Sequence, residues 1–85
     1  LKTIRPGTIN KNIKYLQIIL NSNNKTLIAK SGIGSKNKEI NKYNILTIKS
    51  VKRFQRLYLN TKKPTGIMGV NTVKEFNKIL DCVFE

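Results

Sequence analysis

Val51-Lys52-Arg53-Phe54-Gln55 and Ile13-Lys14-Tyr15-Leu16-Gln17 share one frame, apolar-x-x-apolar-Gln. Residues three and four apart lie on one face of a helix, so each block predicts a helical turn with an apolar face and a glutamine at its edge. Working outward, Ile13, Leu16, Ile19 and Leu20 extend the first stripe over a helix at about 12–20, with Asn10 or Asn12 as its cap. The polar run Asn21-Ser22-Asn23-Asn24 ends it. Ile48, Val51, Phe54 and Leu57 or Tyr58 extend the second over about 48–58, with Thr47 placed as its N-terminal cap. A third stripe, Val73, Phe76, Ile79 and Leu80, predicts a helix from Asn71 or Thr72 to about residue 80, entered through Gly69.

The third segment keeps the frame in Phe76-Asn77-Lys78-Ile79-Leu80, with leucine for glutamine. The approaches to the second and third segments also match: in Tyr43-Asn44-Ile45-Leu46-Thr47 and Met68-Gly69-Val70-Asn71-Thr72, an Asn or Gly is followed three residues later by threonine. The chain therefore contains a weak internal repeat. The fold class is all-α, a small three-helix bundle with an internal pseudo-repeat and a long loop between helices 1 and 2. That loop, about 25–46, includes a candidate extended piece at 26–29, a turn at Ser31-Gly32-Ile33-Gly34-Ser35 and an exposed polar stretch at 36–42. Its length implies either a function or a short concealed element.

With 85 residues there is room for one domain, spanning 1–85. A core of this size supplies roughly 3–5 kcal/mol of stability. Histidine is absent, and the carboxylates are Glu39, Glu75, Asp81 and Glu85. The usual general base near neutral pH is therefore missing. Catalytic triads, Cys/His pairs and histidine-containing metal sites are excluded by composition, and no enzyme activity, cofactor or metal is expected. Glu75 reads as a solvated helix residue. The lone Cys82 reads as a buried apolar residue, with pairing beyond this chain as the alternative. No stretch is long enough to span a membrane. The chain opens on Leu1 instead of methionine, as an excerpt or processed product would.

The net charge of +13 points toward a polyanion: nucleic acid, an acidic membrane or an anionic wall polymer. The same excess arises from an AT-rich genome, because Lys, Asn and Ile, which dominate the chain, have AT-rich codons. Both readings stand at this level. The second segment concentrates the charge, with Lys49, Lys52, Arg53 and Arg56 at i, i+3, i+4 and i+7 opposite its apolar stripe.

The order and spacing of these blocks resemble the peptidoglycan-binding domain family over nearly the whole chain. That family's pattern runs through V-x-x-L-Q, a G-x-x-T turn, V-x-x-F-Q and a second turn, D-G-x-x-G-x-x-T. Ile4, Gly7, Asn10 and Ile13 fit its opening spacing, and Leu16-Gln17 completes the first block. Thr47, Val51, Phe54 and Gln55 supply the second, and 66–72 the last turn. Asn10 and Asn44 stand where the family has glycine, Thr65 where it prefers aspartate, and the loop at 26–42 is longer than in its simplest members. Asparagine tolerates the left-handed region, so the turns are expected to survive.

The resemblance implies a non-catalytic module that holds its parent protein to peptidoglycan in the bacterial cell wall or periplasm, with the ligand groove near the two turns. Amide, hydroxyl, aromatic and cationic candidates there are Tyr43, Asn44, Thr47, Arg53, Asn71 and Thr72. Tyr43 is the leading aromatic platform. Thr47 and Thr72 read more readily as helix caps than as ligand groups. Gln17 and Gln55 are expected to bond turn backbone, since an unmet buried amide costs about 1–3 kcal/mol. Two other readings remain: an interaction module that docks a neighbouring subunit of an envelope assembly, and a nucleic-acid binder using the basic face of the second helix.

Overall fold

The computed structural model describes residues 4–9 and 11–84, with side chains through residue 78. Three helices make up the regular structure: α1 (Lys11–Asn21), α2 (Ile45–Tyr58) and α3 (Val70–Phe84). Each expected helix is present, so the chain is a small all-α three-helix domain. The expectations for Asn10, for the inner positions Ile79 and Leu80, and for Cys82 lie outside the described residues and side chains.

Helix α2 begins three residues earlier than its periodicity implies, because Asn44 caps it in place of Thr47. The Asn44 backbone is extended, at φ −94° and ψ −176°. Its Oδ1 accepts from Thr47 N at 3.1 Å and from Thr47 Oγ1 at 3.0 Å. This satisfies an amide that has no partner within the helix. Asn44 thus replaces glycine as a cap, and it does not use the left-handed conformation. Asn60, at φ 51°, is left-handed just beyond the end of α2, where the Leu59 amide closes onto Gln55 O. Helix α3 starts from Gly69, whose carbonyl accepts from Val73 N at 2.9 Å.

Helical stripes build only part of the core. Ile13, Leu16 and Leu20 of α1, Val51 and Phe54 of α2, and Val73 and Phe76 of α3 meet the non-helical residues Ile4, Ile28, Tyr43 and Met68. Phe54 sits at its centre, with ring centroids 4.7 Å from Tyr58 and 5.5 Å from Phe76. The segment before α1 pairs with both helix approaches. Ile4 and Met68 exchange backbone hydrogen bonds at 3.0 and 3.2 Å. Gly7 N donates to Tyr43 O, and Tyr43 N to Thr8 O, both at 3.0 Å. These are isolated bridges, and among the described residues they do not extend into a sheet.

The long loop holds no concealed helix or strand. It is fastened by polar side chains of the helices. Asn21, 1% exposed, donates from Nδ2 to Gly34 O (2.9 Å) and Glu39 Oε2 (2.8 Å), and its Oδ1 accepts from Ile28 N (2.8 Å). Ser50 donates to Thr26 O, and Arg53 Nη2 to Leu27 O at 2.6 Å. Gly34 occupies a turn at φ +91°, where a Cβ would lie 3.0 Å from Ile28 Cγ2. That conformation and that space both demand glycine. The expected exposed stretch is exposed at 36–38 but turns inward at Glu39 and Ile40.

Asn21→Leu would leave Ile28 N and Gly34 O without their partner, at about 1–3 kcal/mol for each buried group. The urea midpoint should fall by roughly half or more of the domain's margin, with faster proteolysis inside 22–42. An unchanged midpoint and cleavage pattern would show that the loop is held some other way.

Candidate functional site

Two equivalent polar clasps organise the helix starts. In the first, Gln17 Nε2 donates to Thr47 Oγ1 (2.9 Å) and Lys42 O (3.1 Å), while its Oε1 accepts from Ile40 N (2.7 Å). In the second, Gln55 Nε2 donates to Thr72 Oγ1 (3.0 Å), Ile67 O (3.0 Å) and Thr65 Oγ1 (3.2 Å), and its Oε1 accepts from Gly66 N (2.9 Å). In each, a glutamine late in one helix holds the threonine at the third position of the next, together with the backbone just before it. Both glutamines are fully buried, beyond the half-buried setting the periodicity implied, and each uses its donor and its acceptor. The structural role expected for Gln17 and Gln55 is the one they have.

Thr65 closes the turn ahead of α3 with its own hydroxyl. Its Oγ1 accepts from Ile67 N at 3.2 Å, closing the turn, and also meets the Gln55 amide. Gly66, at φ +76°, is pressed against α2, where a Cβ would lie 2.6 Å from Ile48 Cγ2. The Gly66 carbonyl accepts from Tyr43 Oη at 2.5 Å, which joins the two turns directly.

This arrangement divides the candidate residues. Tyr43 is 1% exposed, so its ring belongs to the core and offers no platform to a ligand. Burial pushes its phenol well above the usual tyrosine range. Thr47 and Thr72 are buried within the clasps and are not the capping residues. Asn44 is half-buried, with its side chain spent on the α2 cap. Arg53 is half-buried and reaches back to Leu27 O, so it leaves the basic face to the exposed Lys49 and Arg56 and the half-buried Lys52. Asn71 alone of the six is exposed.

Asn71 and Thr72 open onto a groove of about 640 Å³ between the 59–67 connector and the first turns of α3. Thr61, Lys63, Thr65 and Lys74 line it, with Glu75 and Lys78, which are ion-paired at 3.1 Å. Tyr43, Asn44, Thr47 and Arg53 do not reach it, so the two turns do not share one site. Sequence reasoning missed Lys63, Lys74 and Lys78. Lys63 sat in a connector read only as polar, while Lys74 and Lys78 recur at i, i+4 on the outer face of α3, a spacing that marked them as neighbours. The groove presents cations, hydroxyls, an amide and the Glu75 carboxylate beside apolar Leu59, Pro64, Ile67 and Val70, a mixed set that can meet a ligand with carboxylate or acetamido groups and apolar faces. Among the described residues no three His, Cys, Asp or Glu side chains gather as a metal site would require. Comparison of the chain with protein-family models, curated proteins and solved structures gives no match.

Tyr43→Phe keeps the ring and removes the bond to Gly66 O, which should cost about 1–2 kcal/mol at neutral pH. Because the folded-state pKa is raised, the hydroxyl's contribution is complete below the unfolded value of about 10 and declines as pH rises past it. The stability gap between wild type and variant, read from urea titrations, should therefore narrow from pH 9 upward. A gap that stayed constant or widened through pH 11 would contradict the buried hydrogen bond.

Proposed function

We propose that this chain is a non-catalytic module that holds its parent protein or assembly to peptidoglycan in the bacterial cell wall or periplasm, with the groove beside the start of α3 receiving the ligand. The observation that carries this reading is the repeated glutamine–threonine clasp. It occurs twice, on the residues through which the chain resembles the peptidoglycan-binding domain family, and the second copy has an open groove with both polar and apolar lining beside it. Peptidoglycan offers acetamido groups, sugar hydroxyls and peptide carboxylates. The Asn71 amide, the Thr61 hydroxyl and the Lys63 and Lys74 ammonium groups are complementary to these in kind.

The non-catalytic part of the reading rests on composition and on how the carboxylates are used. There is no histidine. Glu39 accepts from the Asn21 amide, and Glu75 is paired with Lys78. No described helix is long and apolar enough to cross a membrane. A second reading, a docking module in an envelope assembly, draws on one observation: Ile45 and Val70, at equivalent first positions of α2 and α3, are 65% and 62% exposed.

Sedimentation with purified peptidoglycan tests the first reading. It should be run at an ionic strength that screens long-range charge. The chain should pellet and be released by soluble muropeptide. Asn71→Ala combined with Lys74→Gln, both at exposed positions, should weaken pelleting roughly tenfold, about the loss of one charge-assisted hydrogen bond, with little change in stability. No pelleting, or pelleting indifferent to both changes, would overturn the groove assignment.

A further inference from the structure

We propose that the solvent face of α2 is a second binding surface, on which Lys49, Lys52 and Arg56 take a base-free, phosphodiester-linked polyanion of the kind attached to a cell wall. The choice of polymer rests on the envelope reading above, but the surface itself is independent of the groove.

Helix α2 carries four cations and no carboxylate. Arg53 is committed to Leu27 O, whereas Lys49, Lys52 and Arg56 have no hydrogen bond or ion pair among the described residues. They fall at i, i+3 and i+7, a line of about 10 Å along one side of the helix. The described acids cannot neutralise them, since Glu39 is held by Asn21 and Glu75 by Lys78. Like charges one turn apart repel, so this face gains from any ligand that supplies spaced negative charge. Lys52 is also placed by packing: its Cε would lie 3.3 Å from a Cβ at Gly66. Its stem therefore runs against the connector at Gly66.

The same face offers little for reading bases. Reading base edges takes exposed amide or guanidinium groups among the cations, and single strands need aromatic platforms. On α2, Gln55 is buried in its clasp and Arg53 is turned to the loop, which leaves Arg56 as the exposed guanidinium and Tyr58, packed on Phe54, as a partly exposed aromatic. What remains is charge at regular spacing, which fits a flexible phosphodiester chain without bases.

The test uses a defined-length poly(glycerol phosphate) in a fluorescence titration across salt. Three phosphate contacts give an expected log–log salt slope of about −2. K49Q/K52Q/R56Q should weaken binding at least about tenfold and flatten that slope. K14Q/K25Q/K36Q, which has the same net charge but dispersed positions, should weaken it less than about threefold. K49R/K52R/R56K should bind like wild type, and circular dichroism of each variant should match the parent. Equal weakening by the two glutamine triples would overturn the proposal in favour of net charge alone. So would tighter binding to a charge-matched DNA duplex with the same variant dependence, or no binding to the polymer. Failure here is distinguishable from failure of the groove: Asn71→Ala should leave polymer binding unchanged, and K49Q/K52Q/R56Q should still pellet with peptidoglycan stripped of accessory polymers.

Discussion

A glutamine amide taken out of water must find partners for both its oxygen and its nitrogen, and this domain depends on doing so twice. Gln17 and Gln55 each sit in a place where an apolar residue would leave threonine, carbonyl and amide groups stranded. A wholly apolar contact would be indifferent to small shifts of one helix past the next. A hydrogen-bonded network that must be complete is not indifferent, and it specifies a single arrangement. No buried side-chain nitrogen or oxygen among the described residues lacks a partner. The clasps set where α2 and α3 begin, and thereby the direction in which each helix leaves its turn.

Around the clasps, the core is completed by residues that belong to no helix. Tyr43 and Met68 occupy equivalent places just ahead of α2 and α3, and both are buried and bridged to the opening segment. The Tyr43 hydroxyl crosses to the Gly66 carbonyl, so the first turn is tied to the second by a side chain as well as through the opening segment. The loop between α1 and α2 follows the same logic. It has no regular backbone pairing, and Asn21, Gln17, Ser50 and Arg53 supply from the helices the bonds it cannot make within itself.

Periodicity made the three helices legible, because α1, α2 and α3 each bury a stripe at helical spacing. The structural role of the two glutamines was legible too, since an amide beside an apolar stripe has to be satisfied. What escaped was set by contacts distant in sequence. Tyr43 stands among polar residues and reads as exposed. Its burial comes from pairing with residues 7 and 8, which no local window contains. Asn21 reads as a helix stop within a polar run, and only the folded loop shows that it is the loop's principal fastening. The Asn44 cap was hidden by Thr47, an equally good capping residue three positions on, whose hydroxyl the Gln17 clasp engages. Of the candidate site, Asn71 and Thr72 open onto the groove. Of the groove's lysines only Lys78 stood in a quoted motif, as one of its variable positions, and their grouping depends on how the 59–67 connector folds back over α3.

The opening segment bears on how such a chain comes to be folded. Three-helix domains usually assemble from neighbours in sequence, which keeps closure entropy low and folding fast. Here Ile4 is matched to Met68, a long-range pairing that encloses both α1 and α2. Neither helix approach is complete until residues 4–8 have paired with Tyr43 and Met68. In a growing chain the Gln17 clasp can close once α2 has begun, whereas the Gln55 clasp and the Ile4–Met68 bridge wait for the approach to α3, so closure comes in two stages.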